Sequence, residues 1–205
     1  MSDDPRLAAW LAALATEPGL TSIDDPDEIR RVHLDDALVA AELVREGPVV
    51  DVGSGGGSPG LPLAAAHPEL EVVLLEATER KCAFLRVHAA GFPNVRVLNA
   101  RAEDAAGGEG RDAYATAVSR ALASPPVAVE WCLPLVRPGG ALILYTSLRA
   151  ADAIALAAAE VAGELAELRP VAGSEHKALA VVRKIGPTPG RFPRRPGVAR
   201  KRPLA

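Results

Sequence analysis

Residues 5–17 place Leu7, Trp10, Leu11 and Leu14 at i, i+3, i+4 and i+7, one apolar face of a short helix that Pro18-Gly19 ends. Asp24 to Pro26 then supplies capping residues and a break. Beyond it Ile29, Val32, Leu34, Leu38, Ala41 and Leu43 recur at roughly helical intervals. Both segments read as a helical lead-in packed on something larger. From Pro48 the period changes: apolar, largely β-branched runs at Val49–Val52, Val72–Leu75, Val95–Leu98, Tyr114–Val118 and Ala141–Tyr145 predict strands. Helices are expected over 59–66, 78–90 and 126–135, with a loop at Gly107–Gly110 and a turn at Pro138–Gly140. An Ala-rich helix at about 150–162 leads to two closing strands near Leu165–Leu168 and Ala178–Val182. Repeated strand–helix alternation predicts an α/β sandwich around a mainly parallel sheet. The last 20 residues hold Pro187, Pro189, Pro193, Pro196 and Pro203, a density that forbids a helix and predicts a tail or wrapping arm. The expected organisation is a helical lead-in over 1–46, a core domain over 47–185 and an arm over 186–205.

Composition places the chain among ordinary globular proteins: 205 residues, 49% apolar and 24% charged. The longest uncharged run, Val52 to Pro68, is broken by glycine and proline, which excludes a membrane span, and the Met1-Ser2-Asp3-Asp4 start has no signal-peptide character. A cytoplasmic protein is expected. Two cysteines, Cys82 and Cys132, make neither a disulfide framework nor a four-ligand zinc site, so no metal is expected. Charge is unevenly divided beneath a net −3: residues 176–205 hold nine of the 23 Lys and Arg and none of the 26 Asp and Glu. A nucleic-acid backbone is the simplest partner for such an end, with a solubilising tail as the plain alternative.

Candidate chemistry concentrates in Asp51-Val52-Gly53-Ser54-Gly55-Gly56-Gly57-Ser58-Pro59-Gly60. A strand entering clustered glycines and then a helix lets a ligand approach the backbone and exposes helix N-terminal N–H groups. The spacing Gly55-x-Gly57-x-x-Gly60 formally matches the dinucleotide fingerprint, but its first glycine lies beyond the turn at Gly53, and Pro59 fills a variable position. An acidic Asp51 inside the strand suits a nucleoside ligand with a cationic amino-acid tail. Glu76 ends the second strand, where a carboxylate accepts both ribose hydroxyls.

These features resemble class I S-adenosylmethionine-dependent methyltransferases. More narrowly, the chain resembles the bacterial small-subunit ribosomal RNA methyltransferase G family, also called glucose-inhibited division protein B, over about 20–204. The resemblance is carried by Val32-His33-Leu34-Asp35-Asp36-Ala37-Leu38, the Asp51–Gly60 loop with Leu61-Pro62-Leu63, and Ser119-Arg120-Ala121. Thr188-Pro189-Gly190-Arg191-Phe192-Pro193-Arg194-Arg195-Pro196-Gly197 and Lys201-Arg202-Pro203-Leu204 complete it. It implies a Rossmann-like sandwich with a seven-stranded, mainly parallel sheet whose last strand is antiparallel. It further implies S-adenosylmethionine as cofactor, S-adenosylhomocysteine as product, and methylation at N7 of a guanine in 16S ribosomal RNA of the small subunit, by a monomer. Carried over by position, the cofactor site comprises Gly53, Ser58, Glu76, Ala77, Thr78, Ala102 and Glu103, with Arg120 touching cofactor or substrate. An ion pair with Glu103 or Asp104 is the competing reading of Arg120.

N7 of guanine has a free lone pair, so no catalytic base is expected and catalysis rests on proximity and alignment. The four histidines are scattered, and His33 reads as a structural hydrogen-bonder. Arg191, Arg194, Arg195, Arg200, Lys201 and Arg202, helped by Lys184, are expected to bind RNA phosphates. Phe192 either stacks on a base or docks the arm. The chain departs from the family where Tyr145-Thr146-Ser147 replaces Lys-Gly, a charge that Arg149 is expected to supply, and where Gly19-Leu20-Thr21 replaces Asn-Leu-Thr. Open alternatives are a diverged methyltransferase for another RNA or a small molecule, a nicotinamide oxidoreductase, and a non-catalytic ribosome-binding module.

Overall fold

The computed structural model describes residues 4–205; the Met1–Asp3 start lies outside them. Seven strands form one sheet: β1 (Val49–Val52), β2 (Val72–Glu76), β3 (Val95–Asn99), β4 (Tyr114–Arg120), β5 (Val136–Ser147), β6 (Gly163–Pro170) and β7 (Lys177–Lys184). Their order is β3-β2-β1-β4-β5-β7-β6, and β1 to β5 pair in parallel. β7, the last in sequence, runs antiparallel to both neighbours, β5 and β6. This is the class I methyltransferase sheet, as expected. The chain reverses strand order after β3, returning to β4 beside β1, and in such sheets the crevice at the strands' C-terminal ends is the ligand site. β1 and β2 are buried along their whole length, as their predominantly apolar composition, broken only by Asp51 and Glu76, suits strands covered on both faces.

The helices are α1 (Pro5–Thr16), α2 (Pro26–Arg30), α3 (Asp36–Leu38), α4 (Gly60–Ala66), α5 (Glu79–Ala89), α6 (Ala102–Gly107), α7 (Pro125–Cys132), α8 (Ala151–Glu160) and α9 (Val198–Lys201). Leu7, Trp10 and Leu14 are the buried face of α1, as their spacing predicts. The second lead-in helix is not continuous: a π-helical turn at Arg31–Asp35 joins α2 to α3, and a 3-10 turn follows at Ala41–Leu43. The helix expected over 126–135 stops at Cys132, because Pro134 has no N–H to continue the ladder and a 3-10 turn replaces it. Strand β5 begins five residues early. Its register with β4 jumps from Val136 opposite Tyr114 to Ala141 opposite Thr116, so Pro138–Gly140 forms an irregularity inside the strand.

Proline density did not exclude a helix from the arm. Between Pro196 and Pro203 six residues carry full N–H donors, and α9 forms its single turn there. The arm is docked. Phe192 is buried, and Arg111 donates to the carbonyls of Phe192 at 2.6 Å and Thr188 at 2.7 Å. Behind them the Lys184 ammonium, fully enclosed, donates to Asp112 Oδ1 at 3.0 Å, the Leu133 carbonyl at 2.8 Å and Thr188 Oγ1 at 2.6 Å. The Thr188 hydroxyl donates in turn to Asp112 Oδ1 at 2.6 Å. Lys184 is therefore a core residue, not an RNA contact: its charge is spent on an internal network.

Candidate active site

A cavity of about 350 Å³ opens at the C-terminal ends of β1, β2 and β3. Gly53, Glu76, Ala77, Thr78, Ala102 and Glu103, six of the eight positions expected around a cofactor, line it together. Gly53 turns the chain out of β1 with φ +73°, and a Cβ there would collide with Leu122. The Glu76 carboxylate is held from behind: Oε1 accepts the Thr78 amide at 2.8 Å and Oε2 the Gly55 amide at 3.0 Å. Each oxygen keeps a lone pair for a ligand hydroxyl. Apolar wall comes from Val52, Leu75, Ala102 and Leu122.

Sequence reasoning missed Trp131, and it assigned Arg200 to RNA alone. Both line this cavity, as does Gly197, so the arm forms one of its walls. Arg200 places its guanidinium 5.1 Å from the Trp131 ring centre, and the Gly197 amide donates to Glu103 Oε1 at 3.4 Å. Among the described residues Trp131 Nε1 is buried without a hydrogen-bond partner, a donor left for a ligand or solvent. Nothing in the local pattern around Trp131 distinguished it from a core aromatic.

Most glycines of the loop serve packing rather than ligand approach. A Cβ on Gly56 would meet Leu14, one on Gly57 would meet Leu61 and Trp10, and Trp10 Nε1 donates to the Gly56 carbonyl at 2.7 Å. Helix α1 thus lies directly on the loop. Ser58 is outside the cavity, its hydroxyl donating to the His33 carbonyl at 2.7 Å. Asp51 is also turned away, beneath the start of α4, where Oδ2 accepts the Gly60 amide at 3.1 Å. Complete burial pushes its carboxyl up to about 7, against the Gly60 amide, the Ser54 hydroxyl and the charge of Arg120.

Arg120 lines a second cavity, of about 550 Å³, and borders the first through its neighbour Ala121, which among the described residues is the one shared by both walls. Ala121 sits at φ +55°, a left-handed conformation that costs a non-glycine residue on the order of 1 kcal/mol. Arg120 donates to the Val32 carbonyl at 2.5 Å and to His33 Nδ1 at 3.2 Å, so it pairs with neither Glu103 nor Asp104. Burial lowers Arg120 from its ordinary value, opposed by Tyr145, Asp51 and Asp36. Burial and the Arg120 charge together push His33 down to about 4. A neutral His33 that accepts at Nδ1 carries its proton on Nε2, which donates to Thr21 Oγ1 at 3.1 Å. His33 is the structural hydrogen-bonder its sequence position suggested. Arg120, Ser58 and the Tyr145 hydroxyl, which donates to the Ala37 carbonyl, all fasten the irregular lead-in to the rim of the sheet. Cys82 and Cys132 are buried, Cys132 with its thiol pushed up to about 12 by burial, and both act as small core side chains.

The family model described as rRNA small subunit methyltransferase G matches residues 5–180. The chain belongs to this family. A ribosomal RNA small subunit methyltransferase G of Chloroflexus aggregans is 40% identical over 195 residues, covering 90% of this chain and 82% of that protein. Its namesake in Gloeobacter violaceus is 37% identical over 212 residues, covering 97% and 84%. Among solved structures, a protein of Pyrococcus horikoshii OT3 superposes with TM-score 0.61 at 16% identity, covering 84% of this chain and 98% of that one. A ribosomal protein L11 methylase of Lactobacillus delbrueckii superposes at 0.57 with 18% identity, covering 72% and 76%. At such identities the superpositions show the fold alone.

For a member of the methyltransferase G family, the six basic residues expected to bind RNA divide into two groups. Arg195, Arg200, Lys201 and Arg202 are exposed. Arg194 is not free: it clasps both carboxylate oxygens of the buried Glu130 and donates to the Arg202 carbonyl at 2.8 Å. Arg191 pairs with Glu160 Oε2 at 2.7 Å at the surface. Arg149 lies outside both cavities; besides Arg120, the cation lining the second is Lys177, which faces Ser147 across the β5–β7 register. Among the described residues no helix is long and apolar enough to cross a membrane.

Proposed function

We propose that this protein transfers the methyl group of S-adenosylmethionine to N7 of a guanine in 16S ribosomal RNA, acting as a cytoplasmic monomer on the small subunit. The observation that carries the reading is the cavity at the ends of β1–β3, where a preorganised Glu76 carboxylate and an unpartnered Trp131 indole N–H meet apolar walls. These residues fit an adenosyl group. Glu76 accepts the ribose hydroxyls, Ala77 and Thr78 flank them, and the backbone at Ala102 and Glu103 borders the adenine edge. When bound, the sulfonium supplies an activated methyl group.

The chain's own work is positional. Attack by N7 uses a lone pair already free at neutral pH, so no side chain has to remove a proton, and holding the base in line with the methyl group accounts for the acceleration. Arg120 and Ala121 stand where the two cavities meet and fix the wall between cofactor and base. Arg120 acts here as a positioning residue, because its guanidinium is engaged by Val32 and His33. Arg195, Lys201 and Arg202 on the arm supply the exposed charge for RNA phosphates. The test is incubation with radiolabelled S-adenosylmethionine and unmodified small-subunit particles, followed by digestion to nucleosides. Label in 7-methylguanosine is expected. Label in any other nucleoside, or none in particles or naked 16S RNA, overturns the reading.

A further inference from the structure

The second cavity contains a carboxylate and a hydroxyl that the cofactor does not use. Asp36, from the lead-in, and Lys177, from β7, form an ion pair on its wall. The pair involves Asp36 Oδ2; among the described residues Asp36 Oδ1 has no hydrogen-bond partner. Thr146 Oγ1, on the same wall, is buried and likewise unpartnered. A buried hydroxyl without a partner is uncommon in native proteins and points to a group that arrives from outside; Asp36 beside it is a quarter exposed and open to the same group. Val32 and Val39 give the cavity apolar surface against which a planar ring can lie.

We propose that this cavity takes the target guanine, and that Asp36, held by Lys177, reads the guanine's N1–H and N2–H₂ edge. The proposal rests on the guanine-N7 reading above and adds how the base is chosen. In guanine, N7 and O6 lie on one edge and N1–H and N2–H₂ on the opposite one. Methylation at N7 directs the first edge toward the cofactor and leaves the second to the protein. The sheet provides that polarity. The border with the cofactor cavity is at Ala121, after β4, whereas Lys177 starts β7, two strands further along. At about 4.8 Å per strand this separates the two strands by roughly 10 Å, comparable with the length of a purine and a hydrogen bond.

An ionised carboxylate only accepts, and it accepts best from two adjacent donors. Guanine alone among the four bases presents two adjacent donors on that edge. Adenine and cytosine place a ring-nitrogen acceptor there, and uracil flanks its single N–H with carbonyls, so each sets a lone pair against Asp36. The Lys177 ammonium keeps Asp36 oriented, and the unpartnered Oδ1 is the atom available to the base.

The experiment crosses enzyme with base. After the labelled guanine has been mapped with wild-type protein, that nucleotide is replaced by inosine, which lacks only N2–H₂. Single-turnover methylation is then compared for wild type and Asp36→Asn, with S-adenosylhomocysteine binding by calorimetry as the check on folding. Wild type is expected to prefer guanine over inosine by about 10- to 100-fold, the worth of one well-made base contact. Asp36→Asn is expected to lose most of its rate on guanine, to bring the preference within about threefold of unity, and to bind S-adenosylhomocysteine as wild type does. An unchanged guanine preference in Asp36→Asn, or no preference in wild type, overturns the proposal. Absence of transfer by wild type to any guanine instead overturns the guanine-N7 reading beneath it.

Discussion

Arg194 of the arm lays its guanidinium across both carboxylate oxygens of Glu130 on α7, a side chain only 2% exposed. A planar fork meeting a carboxylate in two places is the strongest form of ion pair. It fixes the arm where Gly197 and Arg200 wall the cofactor cavity. Glu130 in turn holds Arg194 above its ordinary value.

Arg194→Ala leaves the Glu130 carboxylate buried without a partner. Urea unfolding should show a loss of about 3 kcal/mol, the lower end for breaking a buried pair, because Arg194 itself is partly exposed. Adding Glu130→Gln should recover part of that loss, and the cofactor should bind Arg194→Ala more weakly than wild type. Equal unfolding midpoints for wild type and Arg194→Ala would show the pair to be incidental.

Among the described residues Arg195 and Lys201 form no ion pair with the body, and both are exposed, in contrast to Arg194. Changing both to Ala should leave the unfolding midpoint in place and weaken RNA binding. The slope of log affinity against log salt should flatten by about 1.4 to 1.8, for two phosphates at 0.7 to 0.9 each. A slope equal to wild type would take these residues out of the RNA path.

Asp51 predicts an unusual pH dependence. Its folded carboxyl titrates at about 7, above the ordinary carboxylate range near 4, so between those limits the folded state binds more protons than the unfolded chain. Stability then falls as pH rises from about 4 to 7, the opposite of a salt-bridged aspartate. Asp51→Asn keeps an acceptor for the Gly60 amide and removes the titration. Its unfolding free energy should lose that downward trend. A trend retained in Asp51→Asn would assign it to other groups.

Asp112 gives the opposite sign. Burial alone would raise it, but the Thr188 hydroxyl, the Lys184 ammonium and the Thr188 amide together hold it below its ordinary value. Its stabilisation is present above about pH 4 and is lost as pH falls through the lowered folded value. Asp112→Asn should therefore cost stability at neutral pH and flatten the acid limb of the unfolding curve. An acid limb as steep as that of wild type would contradict this.

The strands were legible because parallel strands covered on both faces are predominantly apolar runs: Val72–Leu75, and Val49–Val52 with Asp51 as its one polar residue, could be little else. Glu76 and the turn at Gly53 were legible because they end strands that face a crossover, whereas Ala102 and Glu103 were placed by the family resemblance alone; all four line the cavity. The arm was misread for a physical reason. Arg194, Arg191 and Lys184 look like a basic tract, yet their partners Glu130, Glu160 and Asp112 lie 64, 31 and 72 residues earlier, and no local period records such pairing. The loop glycines failed similarly: the sequence shows a need for small residues, but not that Leu14 and Trp10 impose it. Helix α6 went unread because Gly107 and Gly108 masked one short turn of helix.

The central claim is that the cavity at the ends of β1–β3 holds the cofactor through Glu76. Calorimetric titration of S-adenosylhomocysteine into wild type, Glu76→Gln and Glu76→Ala tests it most directly. Wild type should bind one equivalent, and Glu76→Ala should bind at least about 10-fold more weakly, the loss of hydrogen bonds to a charged acceptor. Glu76→Gln, which keeps an acceptor for the Thr78 or Gly55 amide, should fall between them. Wild-type affinity in Glu76→Ala, or no binding by wild type, would contradict the account.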